Sequence, residues 1–208
     1  MSASILLRKA TPKQIKYACL NWHYAKKVPP VHIAFACYEE EKFVGVICFG
    51  GGANAKAHKE FGLVQGEAME LIRVAMTAHT LPTSKHVSIS LRLLKVQKPL
   101  VKVITSYADL TRQGHKGIIY RAANFLCLGI RGQSDYLVDG VLTHKRVVMS
   151  RYGNMKNARE HAVIESSEKL SKILYVYPFD KDLRRELESK AISFQDIEGG
   201  AVPTSTLQ

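Results

Sequence analysis

The sequence lacks any apolar run approaching the ~20 residues that a transmembrane helix needs. Its N-terminus, MSASILLRKATPKQ, has too short an apolar stretch for a signal peptide. It also lacks a CxxC pair, since its four cysteines are scattered through apolar stretches, at Cys19, Cys37, Cys48 and Cys127. These absences argue against a membrane protein and against a metal-binding or disulfide role for the cysteines. We expect a cytoplasmic protein whose cysteines are reduced core thiols.

Acidic residues are scarce over most of the chain. The 208 residues include 30 lysines and arginines but only 18 aspartates and glutamates, which gives a net charge of +12. Residues 165–198 contribute −2 and the last ten residues carry no charge, so residues 1–164 carry +14. A basic domain followed by a mildly acidic segment indicates a polyanionic partner, for which nucleic acid is the leading candidate.

The hydrophobic patterns predict an α/β fold with a mixed sheet. They give the order strand, helix, three strands, helix, strand, helix and two strands, which is also the order of the GCN5-related acyltransferase fold. In that fold two neighbouring parallel strands splay apart around a thioester donor, and here the matching pair is MELIRVAMT and LVKVITSYAD. We predict this domain for residues 1–152, a C-terminal extension packed on it at 153–198, and a disordered tail at 199–208.

Residues 106–125, SYADLTRQGHKGIIYRAANF, combine the end of a buried strand with an unusually polar loop. Asp109 and His115 lie in this loop, Gly114 and Gly117 let the backbone turn tightly, and Tyr120 follows in the next helix. Open α/β sheets place their sites at such strand ends, and the N-terminus of the following helix favours an anion. The structural alternatives are that Asp109 caps the loop and that His115 is solvated.

Two further clusters carry polar chemistry, NWHYAKKVPP and ELIRVAM. His23 and Tyr24 end the first helix, where the helix dipole alone favours a histidine. Glu70 and Arg73 lie three residues apart on a strand, so regular alternation predicts that they point to opposite faces. An arginine inside so apolar a strand needs a partner, and Asp109 on the adjacent strand is the predicted one. A purely structural ion pair is the alternative.

Five stretches taken in order resemble successive motifs of the bacteriophage Mom family of DNA-modification proteins: NWHYAKKVP, FVGVICFG, ELIRVAM, PTSKHVSISLRLLK and SYADLTRQGHKGIIYRAANFLCLG. The resemblance runs from about residue 20 to residue 152 and continues loosely to YVYPFDKDLRREL. It implies an acyltransferase-like enzyme that converts adenine in DNA to N6-carbamoylmethyladenine in the host cytoplasm and so protects phage DNA from restriction. The catalytic residues that it implies are His23, Tyr24, Arg73, Asp109 and Tyr120.

The resemblance also implies ligands, because acetyl-coenzyme A and iron have both been linked to the family. The residues predicted to bind the donor are Val74, Thr83, Ser84, Lys85 and Asn124, the last standing where the helix motif Y-x-x-x-G-F has glycine. A metal site could be assembled only from His23, Asp109 and His115, and no close sequence spacing supports it.

Two features depart from ordinary acyl transfer. The phosphate loop of acyltransferases reads Q/R-x-x-G-x-G/A, whereas the matching stretch here, TAHTLPTSK, contains no glycine. In the expected product a CH2 carbon is attached to the adenine nitrogen, whereas acyl transfer attaches a carbonyl carbon. A glycyl donor such as glycyl-tRNA is therefore a hypothesis that competes with acetyl-coenzyme A and with metal-assisted radical chemistry.

Double-stranded DNA is the expected substrate, and its target base would have to flip into the site. Trp22, Tyr24 and Tyr107 are the candidates to stack on that base. The predicted phosphate contacts are Lys26, Lys27, Arg112, Lys116 and Arg121. Two other functions stay open: an ordinary acyl-coenzyme A-dependent N-acyltransferase acting on a protein or small amine, and a non-catalytic DNA-binding protein.

Overall fold

A seven-stranded mixed sheet organises the part of the chain that the computed structural model describes, residues 4–52, 57–133, 135–166 and 170–198. The first six of its strands are β1 (Ile5–Lys9), β2 (Ile33–Glu39), β3 (Lys42–Gly50), β4 (Ala68–Met76), β5 (Val103–Asp109) and β6 (Leu126–Gln133). A separate three-stranded sheet follows, made of β7 (Asp135–Val138), β8 (Val141–His144) and β9 (Ile164–Ser166). The chain then returns to the large sheet through β10 (Leu170–Pro178).

The helices lie between these strands. They are α1 (Pro12–Asn21), α2 (Thr83–Gln97), α3 (Leu110–Gln113), α4 (Ile118–Ala122), α5 (Lys145–Tyr152), α6 (Met155–His161), α7 (Lys181–Glu188) and α8 (Phe194–Glu198), with a 3-10 turn at Ala57–Phe61. Within the described ranges, none of them has the length and apolar character needed to cross a membrane.

The large sheet has the strand order β1-β2-β3-β4-β5-β10-β6. Its neighbours are antiparallel except for β4 and β5, which run parallel. The two faces are covered by α1, which buries Ala18 and Cys19, and by α2, which buries Val87, Leu91 and Leu94. The predicted α/β class and its central parallel pair are confirmed. The cysteines are also as predicted, since all four are buried and free.

The parallel pair separates part-way along its length. β4 and β5 pair only from Ala68–Val103 to Glu70–Thr105, although both strands continue beyond that point. Where the pairing stops, the buried Ser106 hydroxyl donates a hydrogen bond to the Leu71 carbonyl oxygen at 2.9 Å. This contact satisfies a backbone acceptor that the separated strand leaves behind. The predicted splay is therefore present, and it opens the sheet toward the carboxyl ends of both strands.

The domain boundary predicted at residue 152 is wrong. β10 lies between β5 and β6, so residues 170–178 are a central part of the first sheet and not an extension packed on it. The separate segment is the inserted unit, residues 135–166, which holds β7–β9, α5 and α6 around a small core of its own. The tail predicted at 199–208 lies outside the described residues.

The loop between β5 and α4 depends on a close backbone approach. Gly117 has a φ of +76° and precedes α4, and a side chain built on it would overlap the ring of Tyr175. The Tyr175 hydroxyl donates to the Lys116 carbonyl oxygen at 2.6 Å, which fixes the loop against β10. Gly114 in the same loop also has a positive φ, of +58°, but open space surrounds the place of a side chain there.

We therefore expect Gly117→Ala to lower the free energy of unfolding by about 3 kcal/mol, because it adds overpacking to the cost of a left-handed backbone. Gly114→Ala is the matched control. It should lower the free energy of unfolding by only about 1–2 kcal/mol, because only the left-handed backbone conformation is unfavourable there. Urea unfolding of both variants measures the difference. Equal destabilisation would show that the Tyr175 contact does not constrain the loop.

Candidate active site

A cavity of about 720 Å³ opens where β4 and β5 separate. This volume is typical of a small-molecule site. It brings together all five residues predicted to be catalytic, His23, Tyr24, Arg73, Asp109 and Tyr120. The other lining residues are Trp22, Glu60, Glu70, Leu71, Ile72, Val74, Met76, His79, Thr83, Tyr107, His115, Ile119, Arg131 and Lys172.

Arg73 lies at a β-bulge in β4. Leu71 of β4 pairs with Phe49 of β3, and Arg73 pairs with Cys48. Ile72, which lies between them, therefore has no pairing partner on β3. The extra residue breaks the alternation of the strand. Glu70 and Arg73 consequently line the same cavity, and the expectation that they face opposite sides is wrong.

The ion pair predicted between Arg73 and Asp109 is not formed within the described ranges. Arg73 Nη1 donates instead to the Ile72 carbonyl oxygen at 2.8 Å. Its Nε is buried and has no hydrogen-bond partner among the residues that the structure describes. The positive charge of Arg73 also acts on its surroundings, since it helps to lower the pKa of His23 and of Cys19. Arg73 thus places a cation beside the cavity that favours negative charge.

His23 is held as a neutral ring. Only 9% of its surface is exposed, and its Nδ1 accepts a hydrogen bond from the Ala25 N–H at 3.0 Å. Burial, aided by the charges of Arg73 and Lys26, lowers the pKa of His23 to about 4. Because Nδ1 is an acceptor, the proton of the neutral ring must lie on Nε2. His23 can therefore donate a hydrogen bond from Nε2 at neutral pH. The Tyr24 ring lies beside it, tilted by 32°, with 4.2 Å between the ring centres.

The loop after β5 orders a second group of polar residues. The His115 N–H donates to the Asp109 carbonyl oxygen at 3.0 Å, and His115 Nδ1 accepts from the Gly117 N–H at 3.1 Å. Burial lowers the pKa of His115, so this ring is also neutral at pH 7. Burial raises the pKa of Tyr120 to about 12 against the opposing effect of a hydrogen bond with Ser106. Tyr120 therefore keeps its proton and can donate it.

The metal set proposed from His23, Asp109 and His115 is not assembled. All three line the cavity, but no group of three or more histidine, cysteine, aspartate or glutamate side chains in the described part of the chain could hold a metal ion. Nδ1 of each histidine is already engaged by a backbone N–H in its own loop. These residues do not fit iron, which corrects the expectation.

Of the five residues predicted to bind the donor, Val74 and Thr83 line the cavity. Ser84, Lys85 and Asn124 are not among its described lining residues. Asn124 has a φ of +66°, which explains why glycine is usual at this position and why asparagine is tolerated. Its backbone carbonyl oxygen accepts a hydrogen bond from Arg184 at 3.2 Å.

The loop before α2 is fixed by a buried carboxylate. Glu39 accepts hydrogen bonds from the N–H groups of Thr80 at 2.8 Å and Leu81 at 2.9 Å. Burial alone would raise the pKa of Glu39, but these two bonds together with the neighbouring His86 and His79 lower it. The next residue, Pro82, has no N–H, and the buried His86 lies behind the loop with Nε2 at 3.3 Å from Glu39 Oε1. The loop therefore does not fit a coenzyme A pyrophosphate held as a glycine loop would hold it.

Four polar lining residues were missed by sequence reasoning, Glu60, His79, Arg131 and Lys172. Glu60 and Arg131 form an ion pair at 2.9 Å, and Arg131 on β6 lies opposite Lys172 on β10. Two of them had a sequence signal, because Glu60 belongs to the glycine-rich stretch at 50–68 and His79 belongs to TAHTLPTSK. Arg131 and Lys172 reach the cavity through pairing between strands that are distant in sequence.

Of the predicted DNA contacts, Lys26, Lys27 and Lys116 lie close in sequence to residues that line the cavity, whereas Arg121 lines a separate cavity with Phe125 and Cys127. Lys26 and Lys27 are exposed just beyond α1, next to His23 and Tyr24. Lys116 and Arg121 are exposed on the loop before α4 and on α4 itself, whereas the side chain of Arg112 lies outside the described residues. The three residues predicted to stack on the base all line the cavity: Trp22, Tyr24 and Tyr107.

Comparison with known proteins agrees with this fold. The model of the Mom protein family matches residues 4–196. The methylcarbamoylase Mom of Escherichia phage Mu is 26% identical over 186 residues, which are 83% of this chain and 75% of that protein. The structure of Arabidopsis thaliana NAA60 in complex with a bisubstrate analogue has a TM-score of 0.51 at 10% identity, covering 85% of this chain and 100% of that one.

A candidate acetyltransferase from Acinetobacter baylyi ADP1 has the same TM-score, 0.51, at 13% identity, over 86% of this chain and 96% of that one. At such low identity the two structural matches show the fold alone. The fold is that of the GCN5-related N-acetyltransferases, as predicted from the order of elements.

The protonation state of His23 is directly measurable. We expect ring-nitrogen NMR to show the Nε2–H form at pH 7 and a pKa of about 4. Because the folded pKa lies below the unfolded value of about 6.5, His23 should lower the free energy of unfolding as the pH falls from about 6.5 to 4. His23→Gln should reduce that loss. A His23 pKa of 6 or above would contradict the assignment of a neutral donor.

Proposed function

Because the chain belongs to the Mom protein family, we propose that it is a phage DNA-modification enzyme that converts adenine in DNA to N6-carbamoylmethyladenine. Its family and fold already give it a phage DNA-modification or acyltransferase role. The more specific proposal, modification of adenine, rests on one observation. His23, Tyr24, Arg73, Asp109 and Tyr120 all line one cavity where β4 and β5 separate.

The cavity suits a planar base. Its volume of about 720 Å³ leaves room for a purine. The rings of Trp22, Tyr24 and Tyr107 supply stacking surfaces, and Glu70 and Asp109 supply carboxylates to which an exocyclic amine can donate. Flipping a base into the cavity costs roughly a few kcal/mol, which such contacts can offset.

The polar residues divide into donors and acceptors of protons. His23 and Tyr120 both carry a proton at neutral pH, since one is a neutral Nε2–H ring and burial keeps the other in its phenol form. The carboxylate of Asp109 is therefore the residue best suited to accept a proton from the attacking nitrogen. As the new C–N bond forms, the bond from the donor carbon to its leaving group breaks, and Arg73 would stabilise the negative charge that develops on that leaving group.

The DNA backbone would be held by the exposed basic residues around the opening. Lys26 and Lys27 follow the end of α1, Lys116 lies in the loop before α4, and Arg121 lies in the last turn of α4. Lysines and arginines that neutralise phosphates supply most of the affinity that does not depend on sequence. Their position supports double-stranded DNA as the partner.

The two other functions have less support. An ordinary acyl-coenzyme A-dependent N-acyltransferase would need a pyrophosphate cradle, but Glu39 already takes the N–H groups of Thr80 and Leu81. A non-catalytic DNA-binding protein would need only surface charge. Binding alone does not explain why the half-buried Arg73, the neutral buried His23 and the protonated buried Tyr120 line one cavity.

The proposal is tested with Asp109→Asn, which keeps the shape of the side chain and removes its charge. We expect modified adenine, measured by mass spectrometry of nucleosides from cells expressing the chain, to fall by about 100-fold or more. The melting temperature should change little, because Asp109 is only half-buried. Asp182→Asn is the matched control, since Asp182 makes an exposed ion pair on α7.

Wild-type levels of modified adenine in Asp109→Asn would remove this carboxylate from the reaction. If the folded wild-type chain yields no modified adenine at all, the proposed reaction itself is wrong and one of the two alternatives replaces it.

A further inference from the structure

Positive charge is concentrated in one short stretch of the inserted unit, residues 135–166. Residues 145–161, which form α5, α6 and the turn between them, hold five lysines and arginines and a single acidic residue, Glu160. These 17 of 208 residues therefore carry +4 of the net charge of +12. None of the residues predicted from the sequence to contact DNA lies in this stretch.

The basic side chains of this stretch face solvent, whereas its apolar side chains form the core. Val148 and Ala158 are buried against Val138 of β7 in the small core of the inserted unit. The exposed basic residues are Lys145, Arg151, Lys156 and Arg159. Within the described part of the chain, none of these four makes an ion pair. Their charge is therefore not neutralised by neighbouring carboxylates of known position.

The two helices are held as a hairpin by a short turn. Gly153 has a φ of +76°, and the Asn154 side chain accepts a hydrogen bond from the Asn157 N–H at 2.9 Å, which caps α6. The turn and the shared core fix the helices relative to each other. The four cations are thus carried on an ordered element and lose less freedom on binding than cations on a flexible tail would.

The inserted unit lies in the chain between two strands that each supply a lining residue of the cavity. It leaves the large sheet after β6 and returns to it at β10. Arg131 near the end of β6 lies opposite Lys172 near the start of β10, and both line the cavity. A duplex held by the inserted unit would therefore lie close to the opening through which a base must enter.

We propose that the inserted unit is a DNA-binding arm whose helices α5 and α6 bind the phosphate backbone of the duplex beside the flipped base. This inference rests on the proposed function, because it takes duplex DNA as the substrate. The complementarity is that of exposed, unneutralised cations with a polyanion, and each phosphate contact should add to the salt dependence of binding. The arm positions the substrate and takes no part in the chemistry.

The test compares two variants that each lose four positive charges. The arm variant is Lys145→Gln, Arg151→Gln, Lys156→Gln and Arg159→Gln. The control variant is Lys9→Gln, Lys13→Gln, Lys16→Gln and Lys42→Gln, which changes exposed residues of β1, α1 and β3 away from the inserted unit. The affinity of each purified protein for a fluorescent duplex is measured by anisotropy between about 50 and 200 mM salt.

We expect the slope of log affinity against log salt to become shallower by about 2 to 4 in the arm variant, since each lost phosphate contact removes about 0.9. The control should lose less than about 1. Nucleoside mass spectrometry should show that cells expressing the arm variant contain less modified adenine than cells expressing the control. If the four changes together impair folding, the pairs Lys145/Arg151 and Lys156/Arg159 changed separately should each give about half of the effect.

Equal slopes for the arm and control variants would overturn the inference, whatever reaction the enzyme catalyses. If the wild type makes no modified adenine but the arm variant still loses slope, the arm stands and only the proposed reaction fails. A normal slope together with lost modification in the arm variant would also overturn the inference, because the arm would then act on something other than DNA binding.

Discussion

The separation of β4 from β5 is the feature on which the rest of the site depends. Two parallel strands that stay paired would close the sheet and leave no interior space between them. Here the pairing stops after Glu70 and Thr105, and Ser106 satisfies the backbone acceptor at Leu71 that the partner strand no longer reaches. The bulge at Ile72 then turns Arg73 toward the opening. The cavity therefore results from strand pairing that ends early.

The electrostatics of the cavity follow from this geometry. Arg73, placed at the bulge, acts with burial to keep His23 neutral, and burial also keeps Tyr120 protonated. The backbone N–H groups of Ala25 and Gly117 each occupy one ring nitrogen of a histidine and so fix which nitrogen carries the proton. Each of these two histidines therefore carries its proton on Nε2 and can donate a hydrogen bond from that nitrogen.

Much of this could be predicted from the sequence, because the relevant signals are local. Asp109 and Tyr120 were predicted as site residues because a polar loop follows an apolar strand there. His23 was predicted because it lies at the end of the first helix. The order of elements then brought these residues to one sheet edge. The bulge could not be predicted, since ELIRVAM has the pattern of a regular strand. The insertion of β10 between β5 and β6 was also hidden, because pairing between strands distant in sequence leaves no local trace. For that reason Arg131 and Lys172 were missed, and residues 170–178 were wrongly placed outside the first sheet.

The central claim is that the cavity at the split receives an adenine from duplex DNA. Photo-crosslinking with duplexes that carry 8-azidoadenine tests it most directly, because the nitrene formed on irradiation attacks only what touches the base. The account predicts crosslinks, mapped by peptide mass spectrometry, at Trp22, Tyr24 or Tyr107 inside the cavity. Crosslinks confined to exposed surface residues, with none on any side chain that lines the cavity, would contradict it.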